Sequence, residues 1–134
     1  VAEEVGRAVA GAGAILVCGG LGGVMAASAR GAKAGGGTTV ALLPGDSRSE
    51  ANPHMDIAFA TGMGEMRNAL VARACDGLIA VGGGYGTLSE IGFALKIGTP
   101  VVGLGTWDGI DGIVRADDPA SAVASILGLI ARSR

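Results

Sequence analysis

Short apolar runs that end in glycine constrain this chain more than any other feature. Ile15 to Cys18 runs into Gly19-Gly20, Thr38 to Leu43 into Pro44-Gly45, and Gly77 to Val81 into Gly82-Gly83-Gly84. Each run is too short to be a core helix and is bounded by turn residues, which reads as a strand buried on both faces. Longer segments with helical spacing lie between them: Val1 to Ala12, Gly22 to Ala34, Gly64 to Ala74, Thr87 to Ile97 and Pro119 to Ala131. Ile57 to Ala60 and Pro100 to Leu104 complete the strands, and Asp46 to Asp56 reads as a mobile polar loop. Alternating short strands and helices predict an α/β chain with a mostly parallel sheet between two helical layers. Residues 1–134 form one expected domain. The chain opens inside a helix where such folds open on a strand, so a first strand is expected to precede it.

Composition narrows the function. The net charge is −2, which leaves no broad basic face for nucleic acid. Mean hydropathy is +0.52, yet no uninterrupted apolar run is long enough to span a membrane. Apolar helix faces paired in a homodimer or higher homo-oligomer account for that value. No signal peptide opens the chain, so a cytoplasmic location is expected. Cys18 and Cys75 read as small hydrophobes, and His54 and Asp56 have no partners at metal-ligand spacing, so no metal is expected.

In a parallel sheet, ligands bind beyond the carboxyl ends of the strands, and three signals fall there. The first is Gly82-Gly83-Gly84-Tyr85-Gly86-Thr87, between a strand and a helix. Residues without Cβ let backbone N–H groups approach an anion at a helix N-terminus, and Thr87 can cap that helix or bond a phosphate oxygen. No Gly-Lys-Ser/Thr follows, so this is no ATPase loop. The second is Cys18-Gly19-Gly20-Leu21-Gly22-Gly23, which serves either a ligand or close helix packing. The third is Arg67 at a helix start, where a cation is disfavoured unless an anion faces it. Glu90 follows Thr87 by three residues. It is either the return half of a capping box or a carboxylate facing the phosphate pocket.

These motifs, with Arg67-Asn68 upstream of Leu88-Ser89-Glu90-Ile91, resemble one superfamily. It contains the Lonely Guy enzymes (cytokinin riboside 5′-monophosphate phosphoribohydrolases), bacterial proteins once mislabelled lysine decarboxylases, and the molybdenum cofactor carrier proteins. The resemblance implies a Rossmann-like, usually dimeric fold. It implies Arg67 and Glu90 as catalytic residues and Gly83, Gly84, Gly86 and Thr87 as the phosphate loop, with Gly82, Gly19 and Gly20 beside it. The enzymes carry proline where this chain has Gly82 and lysine where it has Asn68, so the chain looks closer to the carrier-like branch, which binds a phosphorylated pterin. The expected function is therefore binding of a phosphorylated nucleotide or nucleotide-like cofactor. The alternatives are hydrolysis of the N-glycosidic bond of an (N6-modified) adenosine 5′-monophosphate, which requires no cofactor, and a structural role without ligand. Lys33 and Lys96 are the only lysines and neither suggests a pyridoxal phosphate site.

Overall fold

The computed structural model describes residues 1–133. Its elements run α1 (Ala2–Gly11), β1 (Leu16–Cys18), α2 (Val24–Ala34), β2 (Thr39–Leu43), β3 (Ile57–Ala60), α3 (Arg67–Ala74), β4 (Leu78–Val81), α4 (Tyr85–Ile97), β5 (Val101–Leu104), β6 (Ile113–Arg115) and α5 (Pro119–Arg132). All strand pairs are parallel, as expected from runs buried on both faces. They form two sheets of three strands, β1-β2-β3 and β4-β5-β6, where one sheet was expected. Among the described residues β1 pairs only with β2 and β4 only with β5, so no ladder joins the two halves.

Strand alternation fills both faces. Leu78, Ala80 and Val101 join Ala72 of α3 and Ile91 and Ala94 of α4 in one core cluster. Ile79, Val81, Val102 and Leu104 point the other way, toward Val5 of α1 and Ala122 and Ile126 of α5. In a core with so few aromatics, close backbone approach replaces bulk. A Cβ on Gly6 of α1 would overlap the Ser28 carbonyl of α2, and one on Gly31 of α2 would overlap the Glu3 carbonyl of α1. That reciprocal contact lets the two helices pack at short range.

Three further expectations change. The segment 46–56 is tied down at its far end. Asn52 donates from its side chain to the carbonyls of Gly20 (3.2 Å) and Leu21 (2.9 Å), and Asp56 accepts from Lys33 (2.7 Å) and the Thr39 N–H (2.9 Å). The stretch between Leu104 and Pro119, to which the sequence pattern assigns no element, contains a strand, β6, in register with β5 from Val101 opposite Ile113. Finally, α4 starts at Tyr85, two residues before Thr87, with Gly84 at its N-cap.

Candidate functional site

The carboxyl ends of β1 and β4 deliver two glycine loops to the same region. Gly82 leaves β4 with φ +82°, a conformation that L side chains avoid. Gly83 and Gly84 are exposed, and a Cβ on either would meet no atom of the protein within 4 Å. The fold therefore does not need glycine at these two positions for its own packing. The chain then enters α4 with no side-chain cap on its first turn. The N–H groups at the start of a helix have no intrahelical partner, and they carry its positive dipole end. Thr87 is the third residue of α4 and not its cap. Glu90 stands in the second turn, out of place for a capping box with the Gly84 N-cap.

Arg67 is the first residue of α3, after a 3₁₀ turn over Gly64–Met66. It is only 8% exposed. Its guanidinium lies in a notch made by Gly19, where a Cβ would stand 2.7 Å from Nη2 and 2.8 Å from the Met25 Sδ. Nη1 donates to the Asn68 Oδ1, while Nε is buried without a hydrogen-bond partner. Asn68 in turn donates to the Ser89 hydroxyl (3.0 Å), which donates to the Gly86 carbonyl (2.8 Å). This chain of bonds docks the start of α3 on the start of α4. Burial pushes the Glu90 carboxyl up, and the Arg67 charge takes back part of that rise. Burial also pushes up the free thiols of Cys18 and Cys75, the latter to about 11, with the Glu90 charge adding to both. Arg67 and Glu90 thus share one electrostatic environment.

Gly20 has a different task. Its φ is +80° and a Cβ there would lie 2.5 Å from the Ala41 Cβ, so this glycine is demanded by packing against β2. Of the second loop, Gly19 makes room for Arg67 and Gly20 shapes the backbone. Sequence reasoning did not single out Ser89 or Asn52, which hold the two loops. It gave no role to Thr106 and Trp107 in the turn after β5, where the Thr106 hydroxyl donates to the Gly82 carbonyl and the Trp107 indole N–H to the Gly84 carbonyl (3.2 Å). The signal available was that Trp107 is the one tryptophan of the chain. Among the described residues no group of three His, Cys, Asp or Glu side chains could hold a metal ion, and no helix is long and apolar enough to cross a membrane.

Residues 1–126 match the model of the SLOG cluster4 family. The chain belongs to this family. A relative described only as an uncharacterised protein of Archaeoglobus fulgidus is 47% identical over 123 residues, 92% of this chain and 81% of the relative. The molybdenum cofactor binding protein of the phototrophic bacterium Rippkaea orientalis superposes with a TM-score of 0.90 at 33% identity, over 96% of this chain and 85% of that one. The molybdenum cofactor carrier protein of Chlamydomonas reinhardtii gives a TM-score of 0.87 at 38% identity, over 97% and 86%. The SLOG cluster4 chain thus has the Rossmann-like α/β architecture of the carrier proteins, the branch to which its motifs pointed.

Proposed function

We propose that this SLOG cluster4 protein binds a phosphorylated, nucleotide-like cofactor, with the phosphate on the N-terminus of α4 over Gly83, Gly84, Gly86 and Thr87. The observation that carries this reading is Arg67, a buried guanidinium in the notch at Gly19 with its Nε unpartnered, linked through Asn68 and Ser89 to the start of α4, which has no side-chain cap. A buried charge needs an opposite charge or hydrogen bonds to be tolerated. A phosphate supplies both, in the fork geometry that guanidinium prefers. The two solved relatives bind or carry the molybdenum cofactor, and by that likeness the ligand is a phosphorylated pterin carried without chemical change. Gly82 supports carriage over catalysis. Its φ of +82° is closed to the proline that the resemblance assigns to the enzymes at this position. The test is mass spectrometry of the small molecules released from protein purified under native conditions. A phosphorus-containing molecule present with the wild type and absent with Arg67→Met is expected. If none is released and calorimetry detects no binding of ribose 5-phosphate, the reading fails.

Glu90 favours a second reading. A half-buried carboxyl with raised affinity for its proton, next to an arginine, suits general acid–base work on a glycosidic bond. In that case free base appears when AMP or N6-substituted AMP is incubated with the protein, and it disappears with Glu90→Gln. Tight binding without release of base rejects it. Pairing of two copies is proposed on the exposed apolar side chains Phe93 and Ile97, one turn apart on α4. A monomer in sedimentation at micromolar concentration would reject the pairing.

A further inference from the structure

The chain has four aromatic side chains of the Phe, Tyr and Trp types, with one tyrosine and one tryptophan among them. Both of these stand at the glycine loop, Tyr85 in the open and Trp107 half-buried with one flank against the core cluster of β4, β5 and α4. Tyr85 is the first residue of α4 and is 82% exposed. Its ring centroid lies 5.9 Å from that of Trp107, with the planes tilted by 31°, inside the range where aromatic rings attract.

Trp107 is placed with care. Its indole N–H bonds the Gly84 carbonyl, so the ring is tied to the residue just before α4. Its own turn is braced from β6. Arg115 donates to the carbonyl of Thr106 (3.2 Å) and to that of Trp107, and pairs with Asp108 (3.2 Å). The Thr106 hydroxyl ties the same turn to the Gly82 carbonyl. The glycine loop and the aromatic pair therefore form one assembly. Preorganisation of this kind lowers the entropy cost of binding.

We infer that Tyr85, backed by Trp107, is the platform on which the planar heteroaromatic ring of the phosphate-bearing ligand stacks. The inference rests on the phosphate reading given above and adds to it the side chain that receives the other end of the molecule. A phosphate bonded to the first N–H groups of α4 sits beside the backbone of the very residue whose ring is the platform. A purine or pterin joined to that phosphate through a sugar or a short linker reaches the ring, and a purely aliphatic phosphate gains nothing from it. Stacking on an aromatic side chain tolerates different bases because each offers a π-face.

The test uses Trp107 emission, which reports from the platform itself, together with calorimetry. The probes are ribose 5-phosphate, AMP and GMP, titrated into the wild type, Tyr85→Ala and Tyr85→Phe. AMP or GMP is expected to bind the wild type about 5- to 150-fold more tightly than ribose 5-phosphate, the range set by one base–aromatic stack. Tyr85→Ala removes that advantage and leaves ribose 5-phosphate affinity unchanged, whereas Tyr85→Phe keeps the advantage. Because Tyr85 is exposed, thermal unfolding of Tyr85→Ala should match the wild type, which excludes misfolding as the cause. Equal binding of nucleotide and sugar phosphate by the wild type overturns the platform and leaves the phosphate site standing. So does an undiminished advantage in Tyr85→Ala, including the case where the substitution changes only self-association in sedimentation. If no probe binds, the phosphate reading falls first and the platform with it.

Discussion

Replacing Gly83 with alanine separates a glycine kept for the ligand from one kept for the fold. A Cβ at this position meets nothing within 4 Å, and its backbone lies outside the left-handed region. The folded state therefore accepts alanine without strain, while the unfolded chain loses freedom. That combination stabilises a protein by about 0.4–1 kcal/mol, which for a chain of this length raises the melting temperature by about 1–5 °C. The same methyl group stands where a phosphate would approach the start of α4. Displacing the phosphate enough to break one charge-assisted backbone hydrogen bond costs about 1.5–3 kcal/mol, so the dissociation constant for ribose 5-phosphate should rise about 10- to 150-fold. Thermal unfolding without ligand and calorimetric titration with ribose 5-phosphate measure the two effects on one preparation. A variant that melts higher and binds as before would show the loop to be only a turn. One that melts several degrees lower would show that the fold itself requires this glycine.

Gly20→Ala should behave in the opposite way, because its Cβ would press on Ala41 and Leu43 at 2.5 and 2.8 Å; urea unfolding should report a loss of at least about 1–3 kcal/mol. The Asp56 carboxyl is held below its ordinary 3.8, first by the hydrogen bond from Lys33 and then by the Thr39 N–H. Its contribution is complete above the unfolded value and is lost as pH falls through the lower folded one, so the stability gap between wild type and Asp56→Asn should close only below about pH 3.8. Glu90 should titrate above the ordinary glutamate range in carbon NMR, because its burial outweighs Arg67, and Arg67→Met should raise it further. No change in Arg67→Met would break the link between the two residues.

The strands and helices were legible in the sequence where a segment's own pattern decided its conformation. Val101–Leu104 is apolar at nearly every position because both of its faces are covered, and that pattern needs no knowledge of the rest of the chain. Residues that depend on distant partners were not legible. The polar stretch around Asn52 was expected to be mobile because the Gly20 and Leu21 carbonyls that receive its side chain lie more than thirty residues earlier. The strand Ile113–Arg115 is three residues long and follows glycines, so its pairing with β5 makes it a strand where its composition does not. At the site, the glycine run and Arg67 could be picked out, since glycine runs and helix-start cations are unusual on local grounds. The start of α4 could not be located from Thr87, because a glycine N-cap bonds through no side chain and leaves no mark in the sequence.

The division of the six strands into two sets of three has a mechanical consequence. Arg67 leans on the end of β1 in one set, while Glu90 and the uncapped helix start follow β4 in the other. A ligand held by both would act as a rivet through the middle of the molecule, where no backbone ladder runs among the described residues. Ligand at a hundred times its dissociation constant adds about 2.7 kcal/mol to stability, and here that increment would fall on the join between the halves. Occupancy would then be readable as slower amide exchange in β1 and β4, turning a loaded protein into a stiffer one.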